Sequence, residues 1–377
     1  MTAGPRIAFY APMKPPEDPR PSGDRRMARA LLAALEAGGC TVERPSAFKS
    51  LDMTGDAARQ VDLSAAAEAE AARIAAELRP DPPDLWLTYH CHYKAPDLIG
   101  PRVAAALGLP YALAEASHAA KRLSGPWARF ARAAAEAIGA ADLVLQPNPA
   151  DRPGAARVMK PSARQIDLPP FADLSAFRAR RAGGTPPHAP GEGLARGAAR
   201  RLATAAMMRA GAKQRSYAVL ADALARLPAD APPWRLAIAG DGPARPDVEA
   251  LFAERPEARF LGALEEPALA DLFADADLFV WPAVGEAYGL ALLEAQAAGL
   301  PAVVGDRPGV RAVAADGETA LLVPEGDAQA FADAVARLLR DDDRRRRMGA
   351  AAAARAAERD LPAAAARLMA ALGPWLR

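Results

Sequence analysis

An α/β chain of two doubly wound parallel sheets is what this sequence predicts, and three observations predict it. Short apolar runs bounded by Pro, Gly or Asp alternate with longer Ala-rich stretches of helical spacing. The alternation stops once, in a Gly-, Pro- and Arg-rich stretch between residues 178 and 200, and then starts again. The length of 377 residues suits two domains at roughly 150 residues each.

The elements follow in order. In the first half, 6–11, 84–90, 111–116 and 142–146 read as buried parallel strands, and 25–37, 64–78 and 126–138 as helices. Gly38 and Gly39 close the first helix where a helix C-terminus favours glycine. After the break, strands are expected at 202–207, 235–239, 259–261, 278–281, 302–304 and 320–323. Helices are expected at 214–227, 246–253, 266–273, 289–298 and 329–339. Asp341 to Arg347 reads as a solvated helix start and not as a basic patch, because aspartate in a first turn is stabilised by the positive end of the helix dipole. Residues 361–377 read as a last amphipathic helix carrying Trp375. The expected domains are 1–177, with 361–377 packing back on it, and 201–360, with 178–200 as a linker or excursion. Two such domains facing across a cleft would place ligands at the carboxyl ends of their strands.

Composition excludes several classes. A 51% hydrophobic content rules out a largely disordered chain. A formal net charge of +1 gives no global attraction to nucleic acid, and 6% aromatic residues argue against base-stacking platforms. Cys40 and Cys91 cannot form a disulfide framework or a multi-cysteine zinc site. No apolar run approaches the roughly 20 residues of a membrane span, and no signal-peptide core precedes the strand at Ile7. A cytoplasmic setting is expected.

The most informative segment is Val280-Trp-Pro-Ala-Val-Gly-Glu-Ala-Tyr-Gly-Leu-Ala-Leu-Leu-Glu-Ala-Gln-Ala-Ala-Gly-Leu-Pro301. A strand runs into a Gly- and Pro-marked loop, and a helix begins near Tyr288. The backbone N–H groups of Gly289 and Leu290 then lie at a helix N-terminus, where unpaired donors and the dipole attract phosphate. Glu286 precedes that helix, and Glu294 lies about two turns further on. An acidic pair bracketing a phosphate site suits a sugar nucleotide, one carboxylate for sugar hydroxyls and the other for ribose.

This pattern resembles the donor site of retaining glycosyltransferases of the GT-B fold, the large family 4 or group 1 set. The resemblance runs from about Leu202 to Leu339 and includes Ala239-Gly240-Asp241-Gly242-Pro243 and Phe260-Leu261-Gly262. It implies that Glu286 contacts the transferred sugar, that Glu294 binds ribose, and that the Gly289 and Leu290 amides bind phosphate. Gly240 and Gly262 fall on the matching donor-side loops, the latter where base readout is expected. In the family a Gly-Arg-Leu loop followed by Lys-Gly clamps the donor diphosphate. Here Met208-Arg209-Ala-Gly-Ala-Lys213 stands in its place, with Met before Arg209, a loop one residue shorter and Gln214 for glycine. Arg209 and Lys213 are the candidates, since two cations stabilise the charge of a leaving diphosphate. No metal and no cofactor are expected, because these cations replace the metal.

In the first half, Gly23 precedes the first helix where the family has a Gly-rich turn near the diphosphate. His118 follows the 111–116 strand where the family often carries a histidine close to the sugar. Glu115 and Lys121 are its sequence neighbours. His90-Cys91-His92 ends another strand and reads as lining an acceptor-side loop or, less well, as a metal site lacking its remaining ligands. The resemblance implies transfer from a UDP- or GDP-sugar to a glycan, lipid or small-molecule acceptor with retention at the anomeric carbon. Peripheral association with the inner face of a membrane stays open. So do a sugar-nucleotide epimerase or glycosyl phosphorylase on the same fold and a sugar-nucleotide-binding protein without transfer.

Overall fold

The computed structural model describes residues 4–19, 22–182, 199–286 and 288–376. The chain divides into two compact units: residues 1–170 with 361–377, and residues 171–360.

The first unit alternates β1 (Arg6–Tyr10), α1 (Gly23–Ala37), β2 (Thr41–Glu43), α2 (Ala57–Leu78), β3 (Leu85–Cys91), α3 (Gly100–Leu107), β4 (Tyr111–Ala116), α4 (Ala128–Ala140), β5 (Leu143–Gln146), α5 (Arg152–Ala156) and β6 (Arg164–Asp167). The described strands form one parallel sheet in the order β2-β1-β3-β4-β5-β6. Strand order reverses between β1 and β3, so the loops after those strands diverge there. Parallel strands are covered on both faces, which is why β3, β4 and β5 are almost wholly buried.

The second unit continues with α6 (Ser175–Ala182), β7 (Arg200–Ala205), α7 (Ala212–Ala225), β8 (Trp234–Ala239), α8 (Arg245–Leu251), β9 (Ala258–Gly262), α9 (Glu266–Asp275), β10 (Leu278–Trp281), α10 (Leu290–Ala297), β11 (Ala302–Gly305), α11 (Pro308–Arg311), β12 (Ala320–Val323), α12 (Ala328–Arg340) and α13 (Asp342–Ala357). Its sheet is also parallel, ordered β12-β11-β10-β7-β8-β9. That is the Rossmann order, with the reversal between β7 and β10. Helix α14 (Leu361–Leu372) returns to the first unit. It buries Ala364, Ala365, Leu368 and Leu372, and Met369 meets Cys40 with the sulfurs 3.5 Å apart. Asp341 caps α13 by accepting the Arg344 N–H at 2.8 Å, and Arg345 and Arg346 pair with Asp342 and Asp343. The aspartate-then-arginine run is thus a capped helix start.

The division falls at Pro170 and not at residue 177, because α6 packs inside the second unit. Phe177 is fully buried and stacks 6.1 Å from Phe273 of α9, which in turn meets Phe279 of β10 edge-on at 5.7 Å. Asp360, 4% exposed, accepts the Leu174 N–H at 3.0 Å and pairs with Arg178. Residues 178–182 therefore end a helix, while 183–198 of the expected linker lie outside the described residues. Truncation of Phe177 to Ala should cost about 3–5 kcal/mol through the lost burial and the cavity it leaves. Urea unfolding of the F177A variant measures this, and a loss under 1 kcal/mol would show that α6 is not part of this core.

Candidate functional site

The two strands at the reversal of the second sheet deliver its charged residues to one place. After β7 the chain passes Arg209 and Gly211, the latter at φ +87°, into α7, so Lys213 stands in the first turn of that helix. After β10 it turns through Pro282 to Glu286 and enters α10 at Gly289, whose φ of 66° and ψ of 48° are left-handed. Lys213 and Glu286, 73 residues apart, form an ion pair through Nζ and Oε2. The same oxygen accepts the Trp281 indole N–H at 3.2 Å, and the Lys213 ammonium lies 5.4 Å from the indole centroid. Trp281 is itself braced edge-on by Tyr217 at 5.0 Å, and the Tyr217 hydroxyl donates to the Ala206 carbonyl at 2.8 Å.

Burial pushes the Glu286 carboxyl up, but the Lys213 charge, the hydrogen bonds from Lys213 and Trp281 and the Gly289 N–H outweigh it, leaving the group below its ordinary value. The Gly289 amide assigned to phosphate by resemblance is therefore turned to Glu286 in this structure. The loop between β10 and α10 is tied down at two further points. The Val284 N–H donates to Ser216 at 2.9 Å, and the Gly285 N–H donates to Glu325 at 2.8 Å. Ala283 holds φ +55°, a strained value for a residue with a Cβ.

The remaining donor-side candidates lie on loops and helices of the same unit. Arg209 is half-buried in the β7–α7 loop, and its carbonyl accepts the Gln214 N–H at 3.1 Å. The Gly240 N–H donates to the Gly262 carbonyl at 2.7 Å at the ends of β8 and β9. Gly240 has φ +139°, and a Cβ there would lie 1.9 Å from the Ala206 carbonyl oxygen, so only glycine lets this loop close on the segment after β7. Leu290 opens α10. Glu294, in the second turn, is 1% exposed.

Gly23 and His118 belong to the first unit. Gly23 is the first residue of α1, and Ser22 caps that helix by accepting the Arg25 N–H at 3.2 Å. His118 is half-buried beyond β4, and burial with the nearby Arg157 charge pushes its pKa down. A different histidine occupies the reversal of the first sheet. His90, at φ +70°, lies 3.8 Å from Asp24 through Nδ1 and 3.8 Å from Glu115 through Nε2, and Glu115 has φ +65°. Neighbouring His92 is pushed down to about 3, by burial first and by His90 second. Among the described residues no group of three His, Cys, Asp or Glu side chains is arranged to hold a metal ion. No helix of the described residues is long and apolar enough to cross a membrane. Trp281, Ser216 and Glu325 went unnoticed in the sequence, where only the place of Trp281 at a strand end was a signal.

Lys213→Met should leave Glu286 buried without its cation, at a cost of about 1–3 kcal/mol at neutral pH. Because the folded pKa of Glu286 is lowered, its stabilisation is present above the unfolded value and is lost as pH falls through the folded one. The difference in stability between wild type and K213M should be fullest above about pH 5 and shrink below about pH 4. A difference in thermal unfolding that does not change with pH would show that the pair is not what lowers Glu286.

Residues 199–341 match the family model described as "Glycosyl transferases group 1". Over 84 residues the chain is 44% identical to a phosphatidyl-myo-inositol mannosyltransferase of Mycobacterium leprae, covering 22% of each chain. Over 127 residues it is 38% identical to a D-inositol 3-phosphate glycosyltransferase of Mycobacterium avium, covering 32% of this chain and 30% of that one. These alignments span less than a third of the relatives' own lengths. Among solved structures, Anabaena HepE in complex with UDP-glucose superposes with a TM-score of 0.68 at 15% identity, covering 98% of this chain and 99% of that one. Sucrose-phosphate synthase from Thermosynechococcus elongatus gives 0.69 at 20%, covering 97% of each. The fold is GT-B, and over residues 199–341 the chain is similar to the group 1 glycosyl transferases.

Proposed function

We propose that this chain is a glycosyltransferase that moves a sugar from a nucleoside-diphosphate sugar to an acceptor, with retention at the anomeric carbon. The observation that carries the reading is the Lys213–Glu286 pair at the reversal of the second sheet, braced by Trp281 and set against the first turn of α10. Support also comes from the transferases similar to residues 199–341 and from HepE, a neighbour solved with UDP-glucose.

In this reading the donor lies across the carboxyl ends of β7 and β10. Its diphosphate meets Lys213 and Arg209, and its entry competes with Glu286 for the Lys213 ammonium. A diphosphate that draws Lys213 away frees the Glu286 carboxylate for the sugar. The Gly289 and Leu290 amides then serve the phosphate, Glu294 the ribose, and the Gly240 and Gly262 turns leave room for backbone contact with the nucleotide. Glu286 stabilises positive charge that develops at the anomeric carbon, in surroundings where burial strengthens that interaction. The first unit, with Gly23 and His118, takes the acceptor side.

Glu286→Gln keeps the shape and removes the charge. Turnover should fall roughly 10²–10³-fold, equivalent to about 2.7–4 kcal/mol. Nucleotide affinity should stay the same or rise, because Lys213 is released from its partner. Steady-state transfer with UDP- and GDP-sugars and calorimetry with UDP and GDP, on one preparation, test both. Near-normal turnover of E286Q would remove Glu286 from the catalytic role, and parallel loss of turnover and nucleotide binding would give it a structural one.

The proposal includes metal independence, since Lys213 and Arg209 supply the charge that a divalent ion supplies elsewhere. Transfer should persist in EDTA. Abolition by EDTA with recovery on adding magnesium or manganese would defeat the two-cation clamp.

A further inference from the structure

At the carboxyl edge of the first sheet, the loops after β3 and β4 bring two cations onto one pair of aromatic rings. Tyr93 and Trp127 stand edge-on with centroids 5.8 Å apart. The Lys94 ammonium lies 5.9 Å from the Tyr93 centroid and 5.5 Å from that of Trp127, and the Arg122 guanidinium lies 4.7 and 5.8 Å from the same two. All four side chains are half-buried. Among the described residues no carboxylate forms an ion pair with Lys94 or Arg122. The nearest carboxylate along the β3 loop, Asp97, is turned inward, accepting from Thr88, Tyr111, Ile99 and Gly100. Residues 116–135 hold Lys121, Arg122, Arg129 and Arg132 and not one Asp or Glu. Ring faces stabilise each cation but leave the repulsion between the two unrelieved.

We propose that Lys94 and Arg122 form an anion site that holds a phosphate group on the acceptor. An arginine fork and a lysine point charge together match the near-dianionic charge of a phosphomonoester. The site sits at one end of an aromatic row. His90 and His92 are 4.7 Å apart and His92 and Tyr93 5.6 Å apart, so the carboxylates of Asp24 and Glu115 lie at the other end, around His90. A hydroxylated acceptor carrying a phosphate thereby finds hydrogen-bond acceptors for its hydroxyls and cations for its anion on one sheet edge. The acceptor assignment rests on the transferase reading, whereas the anion site itself does not.

The test measures binding of glucose 6-phosphate against glucose by calorimetry, and co-sedimentation with phosphatidylcholine vesicles with and without phosphatidylglycerol. Wild type, K94Q/R122Q and the charge-keeping K94R/R122K are compared, and UDP affinity is measured on all three. The double glutamine variant should lose roughly 10–100-fold in affinity for the phosphate-bearing probe, and K94R/R122K, which keeps both charges but exchanges fork and point charge, should lose several-fold less than that. Loss with glucose 6-phosphate identifies a soluble phosphorylated acceptor, and loss only with the anionic vesicles identifies a lipid headgroup. Either result supports the site. Equal binding by wild type and K94Q/R122Q in both arms overturns it, as does equal loss in K94R/R122K. Unaltered UDP affinity in K94Q/R122Q separates the outcome from the donor reading, which fails by itself if wild type binds no UDP or GDP.

Discussion

The pairing of β7 with β10 is the constraint on which the second unit's chemistry depends. The register sets Leu202 beside Leu278 and Ala203 beside Phe279, which brings the ends of two strands distant in sequence side by side. Their following loops turn to opposite faces of the sheet, as chain direction at a reversal requires. Only there can a lysine from the first turn of α7 and a glutamate from the loop before α10 share a partly dry corner. Other features serve that adjacency. Gly240 lets the neighbouring loop close against Ala206, Tyr217 braces both Ala206 and Trp281, and Trp281 in turn holds Glu286.

The energetic logic of the corner is one of compensation. A carboxylate as buried as that of Glu286 is costly unless it is paired and hydrogen-bonded, and here a cation, an indole and a backbone amide meet the demand. In the proposed reading the cation and the backbone amide are also the groups that meet the donor diphosphate. In the proposed reading, donor entry exchanges the partners of Lys213 without leaving its charge bare.

Much of the fold was legible because buried parallel strands read as apolar runs. The strands that escaped were the edges. β2 is three residues, Thr41–Glu43, and β6 is Arg164–Asp167, with only Ile166 apolar, since an edge strand buries little. Helix α6 read as linker from residue 178 on for a similar reason: three arginines and three alanines share Ser175–Ala182, and Phe177 is its large core residue, with Ala176 packed beside it. In the site, the residue types were legible and the pairing was not. The family resemblance assigned Lys213 to phosphate and Glu286 to sugar as separate tasks. Nothing local says that they hold each other, because that contact exists only through the strand order. Lys94 and Arg122 were equally silent, since cation and ring meet there across two different loops.

Strain marks the same places independently. The described non-glycine residues with left-handed backbone are His90, Glu115 and Ala283. Each costs of order 1–3 kcal/mol that packing must supply, and each stands at or just beyond the carboxyl end of a central parallel strand. His90 and Glu115 bend β3 and β4 so that an imidazole and a carboxylate approach each other. Ala283 turns the chain after β10 so that Glu286 folds back onto Trp281 and Lys213. A strand that merely continued would carry these side chains alternately to the two faces of the sheet, under the covering helices. Bending the backbone at its last residues presents them at the edge, where a ligand can reach them.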